Sequence, residues 1–326
     1  MNNKTVIRVM YIFLVIAIVV VVVCGVMVVK NTSNKESQEN HELFVEATSD
    51  SGSDADKILV EDKTSQAGKG FDTYVSGSKQ IKEIAMKIEE VPVIVYFQDT
   101  FDKKPLVLIQ HGITSKKEEV SYLAKYFSKA GYVVVTPDAA GHGELKNSDK
   151  LILAELIKQT SENYDKVISY FEESMYVEIE RTGVVGFSLG GLAAFHHVAN
   201  GEHQPKVMVS ICSTPDFEDL AKSSVANVVF INDRETKERN KREAELLADE
   251  IIAESPYEKL INNTTTSFYV LCGDKDNVIP HEGNIRFYDE MKDKAKDIVL
   301  KVKENQKHEV KEEDLEEIFQ YLKGHL

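Results

Sequence analysis

Residues 182–195 read Thr-Gly-Val-Val-Gly-Phe-Ser-Leu-Gly-Gly-Leu-Ala-Ala-Phe. An apolar run of strand character ends at Phe187, and a helix-forming run begins just after Ser188. Between them, Gly186, Ser188 and Gly190 fit the pattern G-x-S-x-G. A serine on such a strand-to-helix turn is sharply bent, so that its Oγ projects away from the sheet. Glycines two residues before and two after leave room where the backbone folds against itself. The junction of strand and helix gives this match its meaning, because a chance G-x-S-x-G has no reason to fall there.

Outward from this turn the chain alternates between strand and helix patterns. Ile84, Met86 and Ile88 alternate, and Val91 to Phe97 is nearly continuous, which predicts an antiparallel opening pair. Buried-type strands are predicted over 105–110, 132–136, 182–187, 207–212, 268–272 and 298–302. Helices are predicted over 118–130, closed by Gly131, over about 150–174, and from 189, 281 and 311 onwards. This alternation predicts an α/β fold, a mostly parallel, doubly wound sheet with helices on both faces. Residues 214–265 interrupt it, with a highly charged helical stretch over 233–253. The expected place for such an insertion is a cap over the carboxyl ends of the strands, where ligands bind. A surface decoration away from the substrate is the alternative.

Four ordered motifs span residues 80 to 326: Gln110-His111-Gly112-Ile113, Pro137-Asp138-Ala139-Ala140-Gly141-His142-Gly143, the serine turn, and Gly273-Asp274-Lys275-Asp276-Asn277-Val278-Ile279-Pro280. With them the chain resembles the α/β-hydrolase superfamily, in particular its bacterial esterase and prolyl-oligopeptidase-like branch. The resemblance implies the α/β-hydrolase fold and a nucleophile, acid and base in the chain order Ser, Asp, His. Ser188 is then the nucleophile. Asp276 matches the acid position of the family's G-x-x-D-x-x-V/I-P pattern and is preferred to Asp274. His308 falls after the last strand and before the last helix, where the family's base lies. Lys307 replaces the glycine usual before that histidine. His281 follows the acid with no strand between, and His325 stands next to the chain end.

An acyl-transfer intermediate also needs two backbone donors for its oxyanion. By the same resemblance these are the N–H groups of Leu189 and Ile113, with His111 and Gly112 forming the supporting loop. His142 is expected to be structural, and His196 and His197 to be packing or surface residues. No metal and no cofactor is called for, because acyl transfer through serine needs none. Asp274 and Asp276 lack the alternating acids of a calcium loop, and no phosphate-binding G-x-x-x-x-G-K-S/T occurs.

The chain carries a net charge of −15 with 42% hydrophobic and 29% charged residues. Residues 1–30 hold Lys4, Arg8 and Lys30 and no acid, so the remainder has 36 basic against 54 acidic groups. A body of that charge repels nucleic acid. No charged residue occurs from Val9 to Val29, and at about 1.5 Å per residue this run matches the ~30 Å of a bilayer core. An uncleaved single-pass membrane anchor over 1–30 is predicted, since Val28, Val29 and Lys30 follow where a signal peptidase needs small residues. Lys4 and Arg8 before the helix favour a cytoplasmic N-terminus and an extracytoplasmic body. Residues 31–70 are a polar linker and 71–326 the hydrolase domain. Cys212 and Cys272 are expected to be buried structural thiols; three cysteines make no disulfide framework.

Three functions fit this reading. A carboxylic ester hydrolase needs no group beyond those named. A small prolyl-oligopeptidase-like peptidase shares them, although some 40 linker residues are too few for the propeller such enzymes carry, at roughly 40 or more residues per blade. A catalytically inactive binding module would not need the complete set of Ser, Asp, His and His-Gly.

Overall fold

The apolar runs assemble into one eight-stranded sheet in the computed structural model, which describes residues 70–146, 151–228 and 245–326. In chain order the elements are β1 (Ile81–Ile88), β2 (Val91–Gln98), β3 (Lys104–Gln110), α1 (Ser121–Lys129), β4 (Val133–Pro137), α2 (Leu153–Phe171), β5 (Val177–Phe187), α3 (Leu189–Asn200) and β6 (Val207–Ile211). They continue with α4 (Phe217–Val228), α5 (245–253), α6 (Tyr257–Leu260), β7 (Ser267–Gly273), α7 (Glu282–Met291), β8 (Asp297–Lys303) and α8 (Glu312–His325). The strand order is β1-β2-β4-β3-β5-β6-β7-β8. The β1–β2 and β2–β4 pairs are antiparallel, and every later pair is parallel. This is the α/β-hydrolase fold.

Side chains of a strand alternate between faces, and both faces here are covered. Leu106, Leu108, Val184 and Met208 pack with α2, α3 and α7 through Val167, Phe195 and Phe287. Their neighbours Val107, Ile109, Val185 and Val209 pack on the other face with α1 and α8 through Phe127, Ile318 and Leu322. Cys212 and Cys272 are buried and free. Cys212 directly follows β6 and Cys272 lies on β7, and they face different partners: Cys212 Sγ meets Glu309 O, whereas the Cys272 thiol turns towards Asn284 on α7. Burial pushes the Cys272 thiol up to about 12.

Two boundaries differ from the sequence expectation, each for a local reason. The helix expected from 118 begins as a 3-10 turn, Lys117–Val120, and becomes α-helical only at Ser121. Lys117 is held there by Asp138, which accepts from its backbone N and its Nζ. β5 starts at Val177, ahead of the expected 182. Its register against β3 jumps from Pro105↔Glu178 to Leu106↔Thr182, so Ile179, Glu180 and Arg181 bulge out and break the apolar pattern.

Ahead of β1, the chain is tied down by Asp99. Its carboxylate accepts from the backbone N–H of Ser76, Gly77 and Ser78 and from both serine hydroxyls, with Lys82 Nζ at 2.9 Å. The predicted anchor and most of the linker, through residue 69, lie outside the described residues. Among the described residues no helix is long and apolar enough to cross a membrane.

The insertion between β6 and β7 contains α4, α5 and α6. Phe217, Leu220, Ala248 and Ile251 from it pack with Leu189 and Leu192 of α3 and with Ile279 after β7. These contacts place it at the carboxyl ends of the parallel strands, beside the serine turn.

Candidate active site

Ser188 occupies a single-residue junction between β5 and α3, with φ +50° and ψ −112°. A non-glycine residue holds that conformation only under strain, here fixed by its neighbours. Its own N–H donates to Ile211 O at 2.9 Å, and its carbonyl accepts Leu192 N–H at 3.0 Å. The flanking glycines are needed because of close approach. A Cβ on Gly186 would run into the backbone of Gly190, and one on Gly190 would stand 2.6 Å from Gln110 O.

The parallel strands deliver two further side chains to this hydroxyl. His308 lies on the loop after β8, with Nε2 at 2.9 Å from Ser188 Oγ. Its Nδ1 lies 2.7 Å from Asp276 Oδ2, on the loop after β7. A carboxylate only accepts, so the ring proton sits on Nδ1, and Nε2 is left to accept from the serine hydroxyl. Asp276 Oδ1 accepts the N–H groups of Val278 and Ile279 at 2.8 and 2.9 Å, which fixes the carboxylate from behind. The Asp276 side chain is fully buried, while that of His308 is 18% exposed.

The histidine loop is itself held in place. Gln306 O accepts Lys275 N–H, and Gln306 Nε2 donates to Glu309 O at 2.8 Å. Gly273 lets the two loops close, since a Cβ there would run into Gln306 O. The alternatives to these residues point elsewhere. Asp274 has its nearest cation in Lys275 at 3.9 Å, His281 caps α7 beside Glu282, and His325 bonds Tyr321 O and faces Asp297.

On the other side of Ser188 runs the loop His111-Gly112-Ile113. Gly112 is close enough that a Cβ would stand 3.3 Å from Ser188 Cβ. His111 is buried, and Ala139 N–H donates to its Nε2 at 3.0 Å. Nε2 is therefore bare, and Nδ1–H donates to Gly112 O at 2.8 Å. The planar peptide points Ile113 N–H opposite to that carbonyl. Among the described residues nothing accepts from Ile113 N–H or Leu189 N–H. Burial lowers the pKa of His111 and likewise that of His142, whose Nδ1 bonds Ala140 O. His196 and His197 are buried in α3 and bond Ser161 and His203 O respectively.

Three groups that matter here escaped the sequence reading. Asp138 accepts from Lys117 and from Glu144 N–H, and so joins the loop after β3 to the loop after β4. Only the position of Asp138 inside a motif signalled it. Asn284 donates to Ser213 O from α7, with no local pattern to reveal it. Cys212 stands beside the His308–Asp276 pair, where the loops after β6, β7 and β8 meet, and no local pattern reveals it. Beside the serine turn, Ile113, Leu151 and Val278 pack against the apolar cluster of Leu189, Phe217 and Ile279.

Comparison with known proteins adds four findings. The profile of the prolyl oligopeptidase family matches residues 118–326. A putative esterase of Bacillus subtilis, YitV, is 26% identical over 199 residues, covering 58% of this chain and 74% of that protein. The Pyrococcus furiosus esterase Pf2001 superposes with a TM-score of 0.56 at 17% identity, over 76% of this chain and 92% of that one. Dipeptidyl peptidase 4 of Porphyromonas gingivalis gives a TM-score of 0.56 at 14% identity, over 76% of this chain but 36% of that one.

Proposed function

The chain belongs to the prolyl oligopeptidase family and is a serine hydrolase, and from that premise we propose that it cleaves carboxylic esters through Ser188, His308 and Asp276. The observation that carries this reading is the continuous chain of hydrogen bonds from Ser188 Oγ to His308 to Asp276, at 2.9 and 2.7 Å. His308 Nε2 takes the hydroxyl proton as Oγ attacks the ester carbonyl. Asp276 keeps the ring proton on Nδ1 and stabilises the imidazolium that forms. Leu189 and Ile113 N–H receive the oxyanion. His308 then protonates the leaving alcohol, and water, deprotonated by the same nitrogen, releases the acid from Ser188.

Ester rather than peptide chemistry is favoured by two proteins this chain resembles over most of their length, one called a putative esterase and the other an esterase. The insertion 214–265 acts as a cap, and its apolar contacts with Leu189 and Ile279 shape an acyl-binding wall. Residues 9–29 anchor the enzyme in a membrane, with the catalytic domain outside the cytoplasm; the support is the uncharged run and the basic residues before it.

The test is a panel of p-nitrophenyl esters of graded chain length beside peptide amides, run on the wild type, Asp276→Asn and Asp274→Asn. The expected result is turnover of esters, its near-complete loss in Asp276→Asn, and little change in Asp274→Asn. Faster cleavage of amides than of esters would make the protein a peptidase. Greater damage from Asp274→Asn would displace Asp276 as the acid.

A further inference from the structure

Beside the pair of His308 and Asp276 stands a thiol that the reaction does not use. Cys212 is the first residue after β6 and holds φ +51°, a left-handed conformation that turns its side chain under the loop of His308. Its Sγ donates to Glu309 O at 3.1 Å, one residue from His308. Sγ of Cys212, a carboxylate oxygen of Asp276 and a ring nitrogen of His308 all lie within 4.8 Å of one another. Among the described residues no other group of histidine, cysteine and acid side chains comes together in this way.

We propose that this cluster is an inhibitory binding site for zinc or a softer ion of its group, which switches the enzyme off by taking the wrong face of His308. Thiolate, imidazole and carboxylate are the ligand types zinc prefers, and three protein ligands with an open fourth position suit its tetrahedral geometry. With bonds of about 2.0–2.3 Å, ligand atoms around one zinc ion stand roughly 3–4 Å apart, so the cluster needs only a small closure. A hard ion such as magnesium or calcium requires six or more oxygens and finds one carboxylate here. Of the three ligands, His308 has the part-exposed side chain and would be the one an ion meets first.

Binding and inhibition follow from one proton balance, resting on the reading of His308 as the base. The Cys212 thiol carries its proton, which it donates to Glu309 O. As the metal–sulfur bond forms, the S–H bond breaks and its proton leaves to solvent. The metal takes Nδ1, the nitrogen that faces Asp276, and the proton held there passes through solvent to Nε2. The ring stays neutral, and one proton is released per ion bound. Nε2 now carries hydrogen and cannot accept one from Ser188. The serine loses its base, as happens when the acid of a triad no longer selects the correct tautomer.

The test has two arms on the purified full chain. In the first, Ser188→Ala, which keeps all three ligands, is titrated with cadmium. One ion per chain is expected, with a thiolate-to-cadmium charge-transfer absorption that disappears when Cys212→Ser is added and weakens when Asp276→Asn is added instead. In the second, micromolar zinc inhibits ester hydrolysis reversibly by chelator, and magnesium does not. For Cys212→Ser the half-inhibiting concentration, taken against that variant's own metal-free rate, should rise about tenfold or more, since even outer partners of a metal site are worth that much. Equal zinc inhibition of wild type and Cys212→Ser would overturn the proposal. So would an absorption band in Ser188→Ala that neither added substitution alters, with circular dichroism showing a native fold. The first arm needs no turnover, so failure of the ester reading leaves its outcome readable.

Discussion

His111 Nδ1 donates to Gly112 O at 2.8 Å, so the histidine grips the peptide whose opposite end is Ile113 N–H. Ala139 N–H fixes the ring from its far side. On the proposed mechanism, His111 is thus a positioning residue for one oxyanion donor. His111→Ala frees that peptide and leaves Ala139 N–H without its acceptor, at a cost of about 1–3 kcal/mol in stability. We expect kcat to fall by roughly tenfold to a thousandfold, the upper end being loss of a complete oxyanion-hole donor. KM should change little. Steady-state kinetics with thermal denaturation checks both; a raised KM at unchanged kcat would show that His111 shapes ground-state binding instead.

The strain at Ser188 can be separated from its chemistry. Ser188→Ala and Ser188→Gly both remove Oγ, and each should lower kcat about 10⁴-fold or more. Only glycine relaxes a residue at φ +50°. Ser188→Gly should therefore be more stable than Ser188→Ala by about 1–3 kcal/mol, the cost of such a backbone conformation. Equal midpoints in urea would mean that the turn stores no strain.

Much of this site was legible because it rests on local chemistry. Gly186, Ser188 and Gly190 mark one turn, and the strands beside it read as strands because both their faces are buried. His308 and Asp276 were reached through chain order in a resembled family; the geometry that joins them is a property of strand order, with β7 and β8 adjacent. What stayed hidden was long-range or irregular. The bulge Ile179–Arg181 broke an apolar pattern, and Lys117 became a buried side chain because Asp138, 21 residues later, folds back on it. Cys212 read as a small core residue and comes to lie beside the imidazole only once three loops have met.

Lys117 and Asp138 form a buried ion pair, with Nζ 2.9 Å from Oδ2 and both side chains almost wholly covered. The pair bridges the loop leading from His111 to the loop holding His142. Lys117→Met leaves the Asp138 carboxylate buried without its cation, and should cost on the order of 3–5 kcal/mol. Adding Asp138→Asn removes that charge and should recover part of the loss. Chemical denaturation of the two variants checks the coupling; a double variant less stable by the full sum of the single losses would show that the two act independently.

Stability should fall with acid in two stages, for two sets of buried groups. Burial lowers the pKa of His111, His142, His196 and His197 below the ordinary histidine value. The unfolded chain then binds more protons than the folded one as pH drops below about 6.5, so folding weakens from there downwards. Asp99 works at lower pH. Burial alone would raise it, but hydrogen bonds from Ser76, Ser78 and Lys82 together hold it far below the usual carboxylate range. Its contribution is complete above about 3.9, the unfolded carboxylate value, and is lost as pH falls through the depressed folded value. Melting temperatures by circular dichroism between pH 8 and pH 3 should therefore be level above about 7, decline below 6.5 and decline again below about 4. Asp99→Asn should be less stable at neutral pH and should flatten the second decline while leaving the first. A melting temperature constant from pH 7 to pH 5 would show that the four histidines are not held neutral by burial, and with it would fall the tautomer assigned to His111.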